Sequence, residues 1–200
     1  MSGGGTQSSA VLLIGPPASG KTTLGGKLAC HFGYALFDIG THMLKHMPPG
    51  ADPESFAMQA VEQVLESESK VILSGYPKWK SGLDHLKRCR AQIDLAIVLS
   101  PFNVPTLLER ARVRHESGER PEDDVSTFKG RLRTYNANVL GLLRELSCVC
   151  NFGRIDPMDD PEVVERAAID AWTLQMPGLD RFKEVPAHER EARWRTNMRC

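Results

Sequence analysis

Gly15-Pro16-Pro17-Ala18-Ser19-Gly20-Lys21-Thr22, followed by Thr23, is the stretch on which the reading of this chain turns. It fills the template G-x-x-x-x-G-K-[ST], whose glycines let the backbone turn tightly and bring its N–H groups against phosphate oxygens. The apolar run Ala10-Val11-Leu12-Leu13-Ile14 comes directly before it, and the helix-compatible segment 24–32 directly after. Strand, glycine-rich loop and helix in that order form the context the template requires. A helix starting near Gly20 aims the positive end of its dipole at the same anion. Residues 15–23 are therefore expected to bind a nucleoside triphosphate, with Lys21 reaching the β- and γ-phosphates and the Thr22 hydroxyl ligating Mg2+. The loop alone leaves ATPases, GTPases and small-molecule kinases open, and ATP becomes the expected ligand only with the downstream segment.

Outward from that loop, 200 residues make one domain large enough to bury a core. Lys and Arg number 25, as do Asp and Glu, so the formal charge is zero and neither nucleic acid nor an anionic membrane is an expected partner. The cysteines, Cys30, Cys89, Cys148, Cys150 and Cys200, contain no C-x-x-C pair and read as reduced intracellular thiols. Residues 1–9 read as a flexible N-terminus without a signal peptide, and Ser2 is not the glycine that myristoylation needs. No apolar run reaches membrane-spanning length. The expected location is cytoplasmic.

Short β-type runs occur at 11–14, 34–37, 71–73, 95–99 and 148–152. Helical patterns lie between and after them, most clearly at 53–66, 104–115, 125–146 and 161–174. Several strand runs are continuously apolar, as in a parallel sheet covered on both faces. The expected fold is α/β, a three-layer sandwich around a central five-stranded parallel sheet of the P-loop NTP hydrolase type, with ligands at the carboxyl ends of the strands. Within the fold, 10–175 is expected to be the P-loop domain and the polar stretch 176–200 a tail. The tail arginines, Arg190, Arg193 and Arg195, read as a solvated face.

The segment 106–135 sets Arg110, Arg114, Arg120 and Arg131 at steps of 4, 6 and 11, with Tyr135 four residues further on. Arg120-Pro121-Glu122-Asp123 has the form R-x-[DE]-D, and Arg131-Leu132-Arg133-Thr134-Tyr135 the form R-L-x-x-Y. In this series the chain resembles the adenylate kinase and UMP/CMP kinase family, over most of 11–171. The resemblance implies that Arg110 stacks on the ATP adenine. It has Arg114 and Arg120 hold the transferring phosphates, oriented by Glu122 and Asp123, and Arg131 bridge toward the acceptor phosphate. The chemistry supports arginine independently, because its planar fork grips phosphate bidentately and the transition state spreads negative charge over the moving group. The short interval 115–124 implies a short lid, and the family's short forms resemble monomers.

The acceptor half departs from the family pattern. D-G-[FY]-P-R appears as Ser74-Gly75-Tyr76-Pro77-Lys78, so a metal-organising aspartate is serine and a phosphate-gripping arginine is lysine. The family's adenine-reading glutamine falls on Gly82, and Lys45 replaces an arginine in Gly40-Thr41-His42-Met43-Leu44-Lys45. The acceptor helices of 41–70 are expected to be shortened. Lys45, Gly75, Lys78 and Arg131 are the expected acceptor contacts, and Trp79 either walls the acceptor base or packs. His42 and His46 stand at i, i+4 without a third metal ligand and read as an exposed helix, while Cys148 and Cys150 read as core residues of a strand. The expected activity is transfer of the ATP γ-phosphoryl, with Mg2+ as cofactor, to a nucleoside monophosphate. Another small-metabolite acceptor, for which Asp38 is the candidate base, and a non-catalytic nucleotide-binding module stay open.

Overall fold

The computed structural model describes residues 8–101, 103–120 and 124–174. The expectations for 1–7, Glu122, Asp123, Cys200 and the tail lie outside these residues. Five strands alternate with seven helices: β1 Ser9–Ile14, α1 Lys21–Phe32, β2 Ala35–Asp38, α2 Ile39–His46, α3 Pro53–Ser67, β3 Lys70–Ser74, α4 Lys80–Arg88, β4 Gln92–Leu99, α5 Val104–Glu116, α6 Val125–Leu146, β5 Asn151–Ile155 and α7 Pro161–Leu174. The strands form one sheet in the order β2-β3-β1-β4-β5. Every pairing is parallel.

Why the strand runs are apolar without interruption is visible in the way their side chains divide. Ala10, Leu12, Ile14, Val71, Leu73, Ala96 and Val98 join a core on one face, where α3, α4 and α6 contribute Ala57, Val61, Leu83, Leu86 and Leu142. The alternate residues, Val11, Leu13, Ile72, Leu95, Ile97 and Leu99, join a second core with Leu24 and Leu28 of α1 and Ala167 and Ala168 of α7. A period of two places successive side chains on opposite faces, so a sheet covered on both sides needs apolar residues at both. The expected α/β sandwich with a five-stranded parallel sheet is therefore the observed fold. Burial of each leucine or isoleucine contributes about 1.5–3 kcal/mol before conformational entropy is charged against it.

The strand order positions the site. From β1 the chain first builds the β3-β2 side and then crosses to β4 and β5, so the loop after β1 opens at the point where the order reverses. A third cluster lies there: Ala18 of the loop packs with Val104, Leu107 and Ala111 of α5 and Phe128 and Leu132 of α6. It couples the loop to the helices that carry the arginine series.

One expectation is corrected. Cys148 and Cys150 do not lie on a strand: the chain is still turning after α6, with Cys148 N–H donating to Glu145 O at 3.1 Å and Cys150 N–H to Leu146 O at 3.1 Å, and β5 starts at Asn151. Cys148 is exposed, and Cys150 is half-buried with its thiol pushed up to about 11 by burial. Two helices, α2 and α4, are also added to those clearly legible in the pattern. The first is only eight residues long and starts from an Asp38 cap; the second opens with Lys80-Ser81-Gly82, poor helix-initiating material whose apolar residues Leu83 and Leu86 are buried by tertiary packing. Gly82, the position at which the family pattern has a glutamine, is closely packed. It is buried in α4, and a Cβ there would stand 2.9 Å from Pro77 Cβ and 3.2 Å from the Tyr76 ring.

Candidate active site

The loop between β1 and α1 is built by close approach and by left-handed backbone. A Cβ on Gly15 would lie 2.8 Å from Ser19 Oγ and 3.1 Å from Leu99 O, so only glycine lets the loop sit against the end of β4. Ala18 and Gly20 have φ of 61° and 84°, and the alternation of hands curls successive N–H groups into an anion-receiving concavity. Gly20 caps α1 without a side-chain hydrogen bond, which leaves the first N–H groups of the helix to a ligand. Lys21 folds back over the loop, its Nζ donating to Gly15 O at 2.9 Å and Pro16 O at 2.7 Å.

Facing the loop across the sheet edge is Asp38, the last residue of β2 and the N-cap of α2. Its Oδ1 accepts from Thr41 N–H at 2.7 Å, and its Oδ2 accepts from both the Thr22 hydroxyl and the Ser74 hydroxyl at 2.7 Å. Burial pushes this carboxyl's pKa up, but the hydrogen bonds from Ser74, Thr41 and Thr22 outweigh it and hold the group below the usual carboxylate range. Arg120 crosses from the far side of the cleft: its Nη2 donates to Thr41 Oγ1 at 3.2 Å and stands 4.0 Å from Asp38 Oδ1. Thr41 was not singled out in the sequence; a threonine three residues after a strand-ending aspartate is the signal that could have found it.

Cations converge on this point. Burial pulls the Lys21 ammonium down to about 7; Asp38 opposes the change, and Arg131, Lys78 and Arg114 push further in the same direction. Lys78 is likewise lowered, first by burial and then by Arg131, with Asp38 opposing and Arg120 adding to the fall. Positive groups that destabilise one another in one cleft are suited to an anion, which relieves the repulsion. The structure brings Lys21, Lys78, Arg114, Arg120 and Arg131 together at one cleft of about 1220 Å3. Gly75, Thr23 and Lys45 also line it, the last on an exposed turn of α2. Arg110 lines it too and donates from Nη1 to Pro157 O at 3.1 Å, tying α5 to the loop after β5. Trp79 is half-buried on the wall opposite, with Lys78 Nζ 5.9 Å from its ring centroid.

The donor chemistry suits Mg2+. Thr22 and Asp38 offer hard oxygens within 2.7 Å of each other, and the carboxylate is held ionised. Among the described residues no group of three His, Cys, Asp or Glu could form a metal cage. That pattern fits an ion bound through one or two protein oxygens, retained waters and substrate phosphates rather than a soft or all-protein site. His42 packs tilted against His46 and Phe37 and stacks on Phe56, an aromatic cluster with no third ligand among the described residues.

A parallel sheet with a glycine-rich phosphate loop at its switch point and cations around one cleft defines an α/β fold of the P-loop kinase type. No family model matches the chain. Among curated proteins it is 27% identical over 183 residues to an adenylate kinase of Caulobacter vibrioides, spanning 80% of this chain and 95% of that one. It is 23% identical over 173 residues to an adenylate kinase of Thermus thermophilus, 78% and 92% of the two chains. It is 27% identical over 173 residues to a cytidylate kinase of Rhodopseudomonas palustris, 77% and 73%. The chain is related to the adenylate and nucleoside monophosphate kinases. No helix among the described residues is long and apolar enough to cross a membrane.

Proposed function

We propose that the protein is a nucleoside monophosphate kinase that passes the γ-phosphoryl group of ATP to the phosphate of a nucleoside monophosphate. The observation that carries this reading is the convergence of Lys21, Lys78, Arg114, Arg120 and Arg131 on one cleft that runs from the phosphate loop to α2 and Trp79. Two phosphorylated substrates bring many negative oxygens together, and a cleft that already crowds cations offsets that cost. In this mechanism the N–H groups of 18–22 hold the donor phosphates, while Lys21 releases the Gly15 and Pro16 carbonyls and turns to the β- and γ-oxygens. Arg110 lies at the donor end, where the adenine would sit, and Arg114 and Arg120 serve the group in flight. Lys45, Gly75, Lys78 and Arg131 serve the acceptor. Mg2+ bound with ATP supplies neutralisation of the β- and γ-phosphate charge, and Thr22 would hold it.

No general base is needed, since the acceptor phosphate is already a nucleophile. Water is kept out when the short segment carrying Arg120 closes over the loop, a movement of the kind that sequesters phosphoryl transfer from hydrolysis. Lys78 is a point charge rather than a fork, so the acceptor phosphate is held with less angular selection than an arginine would impose.

The test is ADP formation from Mg-ATP with AMP, CMP, UMP, GMP and dAMP offered singly, alongside Lys21→Ala and Arg114→Ala. Turnover with a monophosphate that both variants abolish is the expected result. Absence of turnover with all of them, while ATP still binds, would overturn it in favour of a different acceptor or a non-catalytic nucleotide module.

A further inference from the structure

Asp38 and Ser74 are register partners on the adjacent parallel strands β2 and β3, at the carboxyl ends that face the phosphate loop. Both side chains point to the same spot, because the Ser74 hydroxyl donates to Asp38 Oδ2 at 2.7 Å. The Thr22 hydroxyl donates to that same oxygen, also at 2.7 Å. Proteins with this loop hold their metal with the loop Ser or Thr and an aspartate from a neighbouring strand. The end of β3, next to the loop strand β1, carries serine here, and the carboxylate stands one strand further out.

We propose that Asp38 is the metal-positioning carboxylate of this site, acting through the Thr22 and Ser74 hydroxyls; the inference rests on the ATP site proposed above. The argument lies in what the hydrogen bonds leave over. A hydroxyl has one proton and two lone pairs. With its proton committed to Asp38 Oδ2, the Thr22 rotor is fixed and both lone pairs of its oxygen are free for a cation at the loop mouth. Donation to a carboxylate also makes that oxygen a better ligand, as outer partners of metal ligands generally do. Ser74 is fully buried, so its hydroxyl is locked in the same way and carries the carboxylate's influence back to the β3 position.

The same contacts disfavour Asp38 as a base for a hydroxyl acceptor. Oδ2 already accepts from two hydroxyls, and Oδ1 accepts from Thr41 N–H with Arg120 Nη2 at 4.0 Å. These partners aim the carboxylate at the phosphate loop and the α2 N-terminus. Both lone pairs of Oδ2 are taken by hydroxyls, and Oδ1 faces the α2 N-terminus and Arg120.

The experiment reads metal binding rather than turnover. Mn2+ is titrated into the full chain saturated with ATP, and free Mn2+ is followed by its paramagnetic resonance signal, with ATP alone as the reference. ATP affinity without metal is measured separately by displacement of a fluorescent ATP analogue. Asp38→Asn is the chosen variant because an asparagine oxygen still caps α2 through Thr41 N–H. The expected result is a 10–100-fold loss of Mn2+ affinity in the ternary complex, the range for loss of a partner that orients a metal ligand, with metal-free ATP binding unchanged. The exchange variant Asp38→Ser with Ser74→Asp, which moves the carboxylate across the register pair, is expected to recover at least tenfold of it. Wild-type Mn2+ affinity in Asp38→Asn would overturn the proposal while leaving the ATP site standing. Failure of the wild-type chain to bind ATP at all would overturn both.

Discussion

Replacing Gly82 by glutamine, the residue that the resemblance places there for reading adenine, is expected to destabilise the protein rather than to confer AMP selectivity. A Cβ at this position stands 2.9 Å from Pro77 Cβ and 3.2 Å from Tyr76 Cζ and its hydroxyl. Carbon atoms pack best at about 3.5–4.0 Å, so α4 must move away from Pro77 by more than half an ångström, roughly, to admit it. Neither neighbour yields easily: the proline ring is rigid, and Tyr76 is 1% exposed with its hydroxyl held 3.0 Å from His85 Nδ1. Overpacking of this kind costs about 1–3 kcal/mol. Removing a glycine from a helix returns up to about 1 kcal/mol, and less in the first turn where residue 82 lies. The net expectation for both Gly82→Ala and Gly82→Gln is a loss of about 1–2 kcal/mol, which for a domain of this size lowers Tm by roughly 2–8 °C. Urea unfolding followed by circular dichroism measures it, with a lower midpoint at constant slope. A variant as stable as the parent, or one that gains preference for AMP in the acceptor panel, would refute the packing argument.

Lys21→Ala is expected to lower kcat by a factor of at least about 10^2–10^3, the loss typical of one preorganised charge donor, with an unchanged circular dichroism spectrum; a fall of less than tenfold would remove Lys21 from the transfer step. Tyr76→Phe strands the buried His85 Nδ1 and is expected to cost about 1–3 kcal/mol in denaturant unfolding. His85 also shapes the pH profile. Burial lowers its pKa from the usual 6.5, with Glu62 opposing and Arg88 reinforcing. The unfolded chain therefore takes up a proton that the folded chain refuses, and stability falls as pH drops from about 6.5 toward the folded value. His85→Asn is expected to flatten that decline; an identical profile would show that other groups cause it. Phe128, fully buried between α5, α6 and the loop residue Ala18, is expected to cost about 3–5 kcal/mol on truncation to alanine, measured by thermal unfolding. A loss below 1 kcal/mol would mean that the cluster supporting the loop is not a tight core.

The parts of the site that were legible in the sequence are those whose chemistry is local. Residues 15–22 specify their own turn and are read from spacing alone, since the glycines, the lysine and the threonine act within one loop and one helical turn. Arg110, Arg114, Arg120 and Arg131 were legible because their spacing is a family pattern, and the fold brings all four to the cleft. Cys148 and Cys150 misled because alternation over three residues cannot separate a strand from the turn that precedes it. Gly82 was legible as a departure from the family pattern, but its physical reason was not. Alignment assigns a position a task, whereas the space at that position is set by Tyr76 and Pro77 folding back over α4.

From its sequence alone this chain is committed to a parallel, doubly covered sheet and to a phosphate loop after its first strand. Continuous apolar strands, helix spacing and a glycine-lysine-threonine turn are properties of short segments, and short segments carry their own preferences. Only the tertiary structure decided how the loop is served from elsewhere. Asp38 meets Thr22 and Ser74 because β2 and β3 pair in one register, and Arg120 reaches Thr41 from 79 positions along the chain. Such contacts depend on where separate elements come to rest against a common core, and no segment encodes its partner's position by itself.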